Sequence, residues 1–407
     1  MKLKGLEAFR STSRDVKLLI AGSFFMGFGF TGFGLILNVY LKKLGFGEAD
    51  IGSWLSYKTW ATMAMTIPAA FLIRRLNLKL IMFVSMVFVT LGSVVIILWP
   101  EFIYIALGMI VTGVFGAFSG VIGGPMIMKG STDEARPYLF SINSAIGFVS
   151  GILGNLLAGS LPDILKHWKI PELDGYEISL LVHVAIAFIA VVPFLMIKTE
   201  RVVENQGAHF FHIKTPISRI LLLSTPHILV GLGAGLSIPF LNLYFTDRFN
   251  MSSTDLGILF SVSQVVMIAG TLAAPYLAER WGNIKTVIVF QLLSVPFLYL
   301  LSLMLNVWVS IVAFLVRSTL MNMAQPLVTN FSLRMTEEQD HPLMSGVMTV
   351  AWLASWGISA NLGGWLIQHI GYFLPFNLTV AAYILSSAVY FFVLLPMERK
   401  STSKANS

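Results

Sequence analysis

No cysteine occurs in the 407 residues, which excludes disulfides, thiolate nucleophiles and cysteine-bound metals. The seven histidines are scattered, and no His-Glu-x-x-His pair, Walker A loop or Rossmann fingerprint is present. No metal site, ATP site or other cofactor site is therefore expected. No nucleophile, base and metal constellation can be assembled, so an enzyme is not expected either. Charge is also scarce: Asp, Glu, Lys and Arg make up 12% of the chain, about half the share in a soluble domain. Apolar residues, 56% of the total, fill the space in long blocks. The solvent for most of the surface must be lipid.

Stretches free of Asp, Glu, Lys and Arg mark spans at 18–41, 80–100, 102–128, 137–162, 178–197, 220–246 and 256–278. Each can cross a hydrocarbon core of about 30 Å as a helix. Segment 51–73 is interrupted only by Lys58. Segment 286–333, interrupted only by Arg317, is long enough for two spans and must turn near Asn306. Segment 343–397 must also hold two, turning between Gln368 and Pro375, where His369 and Gly371 cluster. The expected total is twelve. The apolar run after the short basic stretch Met1–Lys17 is too long for a signal-peptide core and is read as a retained first span.

The net charge of +7 could suggest nucleic acid, but its placement argues for topology. With both termini inside, all but seven of the 27 Lys and Arg residues fall on inner segments. Lys42, Lys43, Lys166, Lys169 and Arg248 fall outside, and Lys58 and Arg317 lie within spans. That is the positive-inside pattern of a cell-membrane protein with both termini cytoplasmic, its basic surplus facing anionic lipid. The expected organisation is a cytoplasmic segment 1–17, a six-helix bundle 18–197, a cytoplasmic middle loop 198–219, a second bundle 220–397 and a tail 398–407.

The two halves resemble each other in register. Asn38-Val39-Tyr40-Leu41 matches Asn242-Leu243-Tyr244-Phe245, and Asp50-Ile51-Gly52 matches Asp255-Leu256-Gly257 at an offset of 205. The same offset carries Arg75 onto Arg280 and Asn77 onto Gly282. Shared loop grammar could produce one such match. A fixed offset over two loops and a helix points to duplication, which suits two similar halves rocking about a central site.

With twelve spans, a 6+6 repeat and a long middle loop, the chain resembles the major facilitator superfamily. That family carries Gly-x-x-x-Asp-Arg-x-Gly-Arg-Lys between spans two and three and a degraded copy between spans eight and nine. Here the first copy runs from Ala70 to Lys79: Arg75 and Lys79 match, while Ala70, Arg74 and Asn77 replace Gly, Asp and Gly. In the second, Pro275 to Ile284, Glu279, Arg280 and Gly282 fit. The resemblance implies an all-α membrane fold, two pseudo-symmetric six-helix bundles around a central cavity, and alternating access. The family's acidic residue belongs to a charged latch, which falls here on Glu279 and Arg280, with Arg75 in the first half. Anchoring of the inner loop is the plainer reading of Arg75. A Gly-Pro-x-x-Gly-Gly efflux motif is absent from span five.

Lys58 and Arg317 are the two in-span cations. Lys58 sits roughly 10 Å below the outer end of span two, and Arg317 roughly 16 Å into span ten, near the midplane. A cation there costs at least ~2.5 kcal/mol. No Asp or Glu lies deep in a span, so Arg317 points to an anionic ligand or to bracing by helix carbonyls. Lys58 points to the same ligand or to snorkelling outward. Asn38, Asn242, Gln264, Asn322 and Gln325 can orient a substrate or brace helices. Asp50 and Asp255 are candidate coupling groups that can equally cap helices, and His183 and His227 are alternative proton carriers. The expected function is secondary active transport by a monomer, with the lipid bilayer and a small-molecule substrate as partners and protons as the candidate coupling ion. The first choice is antiport-type efflux of small amphipathic or anionic compounds. Uptake or exchange of a small organic anion or sugar, and a non-transporting receptor or scaffold, are the alternatives.

Overall fold

The computed structural model describes residues 9, 12–132, 134–198 and 214–398. The expected middle loop and both tails therefore lie mostly outside the described residues. Twelve long helical segments follow: α1 Arg14–Lys43, α2 Glu48–Arg75, α3 Leu78–Leu98, α4 Phe102–Lys129, α5 Arg136–His167 and α6 Glu172–Met196, then α7 Ile217–Phe249, α8 Ser253–Trp281, α9 Asn283–Leu303, α10 Val307–Arg334, α11 His341–Ile370 and α12 Phe373–Glu398. Eleven are long and apolar enough to cross a bilayer. The exception is α2, which has 28 residues but too polar a composition, Lys58 included. Leu272, Trp308 and Phe392 keep 73%, 74% and 74% of their surface accessible. Against water each would forgo about 1.5–3 kcal/mol of burial. Against hydrocarbon the cost vanishes, and the chain is a multi-pass membrane protein.

Local chemistry sets the turns. Asn306 caps α10, its Oδ1 accepting from the Val309 amide at 2.9 Å, so the long apolar run breaks there. Asn77 does the same for α3, accepting from Lys79 N at 3.0 Å. Gly371 ends α11 at φ +94°, a backbone shape that a side chain would strain. Pro68, Pro125, Pro275 and Pro326 sit inside helices, where each removes a ladder hydrogen bond and bends the rod.

The chain divides into two compact units. The first takes the described residues of Met1–Phe46, Tyr57–Ala208 and Met251–Gln264, and the second those of Gly47–Ser56, His209–Asn250 and Val265–Ser407. In the first, α1 packs on α5 and α6, and α3 on α4 and α6. In the second, α7 packs on α11 and α12, and α9 on α10 and α12. Each unit has its own apolar core, around Ile81, Phe118 and Leu139 in one and Val287, Leu327 and Phe331 in the other.

The repeat is written into the contacts of each unit. Tyr40 donates its hydroxyl to the Ile97 carbonyl at 3.0 Å, and Tyr244 to the Leu301 carbonyl at 2.8 Å. Inside the second unit the first turns of α2 lie on α11: Ser56 donates to the Gly357 carbonyl and Ala49 N to Gln368 Oε1 at 2.9 Å. Inside the first, the first turns of α8 lie on α5: Ser261 donates to the Ile152 carbonyl at 3.0 Å and Thr254 N to Asp163 Oδ2 at 2.9 Å. Glycines allow both crossings. A Cβ on Gly364 would collide with the Glu48 carbonyl, and one on Gly159 with the Ser253 carbonyl.

Candidate functional site

Polar chemistry inside the second unit runs along one face of α12. Thr379, Tyr383, Ser386, Ser387 and Tyr390 recur at helical spacing, and all are buried. Thr379 donates to the Gly233 carbonyl of α7 at 2.7 Å and lies 3.0 Å from the Ser237 hydroxyl. Ser386 donates to the Pro226 carbonyl at 3.4 Å, and Ser387 to Gln291 Oε1 of α9 at 3.0 Å. Such interhelical bonds contribute roughly 0.6–2 kcal/mol each in a membrane protein.

Arg317 of α10 joins this seam and is 5% exposed. Its Nη2 donates to the Tyr383 hydroxyl, and its guanidinium carbon stands 5.6 Å from the centre of that ring. Its Nε is buried without a hydrogen-bond partner. A guanidinium stays charged and can only donate. Among the described residues no carboxylate pairs with it, and a tyrosine face compensates only part of a buried charge.

Beside the seam lies a cavity of about 20 Å³ lined by Pro226, His227, Val230, Gln291, Met321, Gln325, Trp352 and Tyr390 among others, room for one water molecule. His227 is 8% exposed, and its Nδ1 has no partner. His183 of α6, in the first unit, differs. It is fully buried, with Nδ1 2.7 Å from the Ser179 carbonyl and Nε2 3.2 Å from the Gly154 carbonyl.

The other candidates are dispersed. Lys58 is exposed on α2, its carbonyl accepting from Thr62 at 2.9 Å. Asn38 and Asn242 are each 5% exposed, and Asn242 Oδ1 accepts from the next amide, Leu243 N, at 3.0 Å. Gln264 lies against Gly151. Asn322 is exposed and donates to Ser318 O of its own helix at 2.8 Å. Gln325 is exposed at the cavity. Asp50 accepts from Gly47 N at 3.2 Å, and Asp255 from the Ser252 hydroxyl at 2.8 Å; both arrangements are helix-start caps. Arg75 and Glu279 are exposed, and Glu279 makes no ion pair among the described residues. Arg280 lies 4.9 Å over the Tyr276 ring. Of all the candidates, Arg317 adjoins the α12 seam, and Gln325 and His227 line its cavity. Sequence reasoning passed over Tyr383, Gln291 and Ser387. The signal for Tyr383 and Ser387 was the polar spacing 379, 383, 386/387, 390 in an apolar run.

At one end of its helices each unit places a cation over a tyrosine. Lys43 Nζ lies 5.5 Å over Tyr176 and bonds Glu172 at 2.8 Å, while Arg248 lies 5.5 Å over Tyr372. Tyr372 donates to Asp247 Oδ2 at 3.0 Å. Burial first, and then the Asp247 charge, hold this phenol above its ordinary pKa, so it stays a donor.

The molecule is thus an all-α multi-pass membrane protein whose polar chemistry is turned inward. The chain belongs to the Major Facilitator Superfamily of membrane transporters: the family's sequence profile matches residues 19–230 and again 223–407. It is a transporter and not an enzyme. An uncharacterized membrane protein of Saccharomyces cerevisiae is 21% identical over 343 residues, covering 73% of this chain and 75% of that one. Among solved structures the fold is similar to a bacterial homolog of the human lysosomal transporter Spinster, in an inward-facing and occupied conformation. That match has a TM-score of 0.75 and 14% identity, covering 92% of this chain and 95% of the other. A bacterial homologue of the iron transporter ferroportin, inward-facing, gives a TM-score of 0.74 at 16% identity, covering 93% and 98%. At these identities the likeness is one of fold.

Proposed function

We propose that the chain is a secondary active transporter that works by alternating access and exports small anionic or amphipathic compounds, driven by a proton gradient. The observation that carries the anionic reading is Arg317, a buried cation with no carboxylate partner among the described residues and a free Nε–H. A cation near the bilayer midplane costs about 2.5–3.5 kcal/mol, and an anion would offset that cost. The family and the fold support alternating access, as do prolines inside several helices. The spread of Lys and Arg supports both termini in the cytoplasm. The bundle limits 18–197 and 220–397, α2 as a twelfth span and a monomeric working unit complete the proposal.

Arg317 is assigned as the anion anchor, with Gln325 at the adjacent cavity. Lys58, Asn38, Asn242, Gln264 and Asn322 are the further substrate candidates, and Asp50, Asp255, Arg75, Glu279 and Arg280 the gating or coupling candidates. Uptake or exchange of a small organic anion is the second reading, favoured by the lack of a deep carboxylate to carry protons. Ferroportin's iron does not transfer easily. Among the described residues no group of three His, Cys, Asp or Glu gathers to hold a metal.

The test is flux in proteoliposomes over a panel of organic anions, cations and sugars, with and without a pH gradient, for wild type and Arg317→Gln. Flux of one or more anions, responsive to the gradient and weakened in the variant, is expected. Anion flux with unaltered affinity in R317Q would remove the anchor, and flux of neutral sugars alone would replace the substrate class.

A further inference from the structure

We infer that His227 and the cavity it lines form a proton-binding site, with His227 as the group that takes up the coupling proton; what the proton is used for rests on the coupled transport proposed above. Two histidines lie inside helices at depth, and their surroundings differ. His183 has a carbonyl within hydrogen-bond distance of each ring nitrogen, so neither is left bare. His227 has a buried Nδ1 with no partner and lines a space of about 20 Å³, enough for one water. An imidazole nitrogen left bare in an apolar interior gains nothing there, but it can accept from a water, and it takes a proton when that water carries one.

The cavity supplies the route. Gln325 and Trp352 line it and are not buried, whereas Pro226, Gln291, Met321 and Tyr390 are. Water entering past the Gln325 amide therefore reaches His227 in one step. The surroundings permit a reversible charge. α11 contributes Trp352 and no titratable group to the cavity, α12 contributes Tyr390, and α9 contributes neutral Gln291. α10 contributes Gln325, with Arg317 roughly two turns further along. α7 itself carries no other titratable side chain between Arg219 and Tyr244. With no carboxylate to fix the imidazolium and one cation to oppose it, a proton taken up here is also released.

The test begins with the full chain, labelled with [15N]histidine, in lipid nanodiscs by solid-state NMR. H227Q assigns the signal. V230I keeps the imidazole but extends a methylene into a cavity of about that size. The expected result is an unprotonated, weakly bonded Nδ1 at neutral pH that becomes imidazolium reversibly as the pH is lowered, with the transition diminished in V230I. An Nδ1 that is protonated or uncharged throughout would overturn the inference. Proteoliposomes holding trapped pyranine, with lactate, citrate and salicylate as probes, then separate the two claims. Anion-linked proton movement that is lost in H227Q supports both. The same movement persisting in H227Q overturns the inference and leaves coupling intact. Anion flux that moves no protons in wild type overturns the coupled reading, while a titrating His227 still stands as a proton site.

Discussion

The interior of α12 and that of its counterpart α6 share a backbone and differ in chemistry. Gly233 of α7 faces Thr379 and Ala382, and Gly29 of α1 faces His183 and Ala187, at matching depths in the two units. Tyr244 and Tyr40 make the same hydroxyl-to-carbonyl bond. Next to Ala382, however, α12 has Tyr383, whereas next to Ala187 α6 has Phe188, and where α10 has Arg317 the offset of 205 places Thr112 on α4. Thr112 is satisfied within its own helix, donating to the Met109 carbonyl at 2.9 Å. Duplication preserved the crossings, which depend on glycines and main-chain carbonyls that admit few alternatives. Side-chain chemistry was free to diverge, and it concentrated in the second half.

Four experiments would break or sharpen that comparison. Arg317→Met should have the largest effect on function, abolishing anion flux, while thermal unfolding in detergent shifts by no more than about 1 kcal/mol, because replacing a buried charge with an apolar side chain is often neutral or stabilising. A loss of activity that merely tracks unfolding would make Arg317 a brace. Gly364→Ala and Gly159→Ala should each destabilise by about 1–3 kcal/mol through overpacking, since both Cβ atoms meet a carbonyl oxygen. Gly147→Ala, with open space around it, is the neutral control. Unequal losses for the first two would break the equivalence of the crossings. Tyr244→Phe should cost about 1 kcal/mol or slightly more, and Tyr40→Phe about 1 kcal/mol, because the Tyr244 hydroxyl also lies 3.1 Å from Ser310. Asn306→Ala should have the smallest effect, about 0.5 kcal/mol, the low end for a lost cap, seen as faster amide exchange in the first turn of α10.

Much of the fold was legible because lipid imposes a strong code. Charge-free runs gave the helices, and the turn near Asn306 followed from length before the cap itself could be seen. The offset of 205 emerged from loop residues such as Asp50 and Asp255, and the structure extends it to paired contacts such as Ser56–Gly357 and Ser261–Ile152. The site was less legible. Ser and Thr are common in membrane helices, so the stripe on α12 reads as ordinary until its partners on α7 and α9 are known. Arg317 announced itself by its cost in lipid, but its Tyr383 partner lies 66 residues away. Whether a histidine nitrogen is bonded or bare, the feature that separates His183 from His227, is a property of packing that no local pattern encodes.

The most direct test of the claim that the second half carries the anion chemistry is ligand-dependent thermal stability of the purified chain. A bound ligand stabilises by mass action, about 2.7 kcal/mol at a hundredfold excess over Kd. At least one small organic anion should raise the unfolding temperature of wild type and leave Arg317→Met unmoved. Equal stabilisation of both proteins, or stabilisation by neutral compounds alone, would contradict the account.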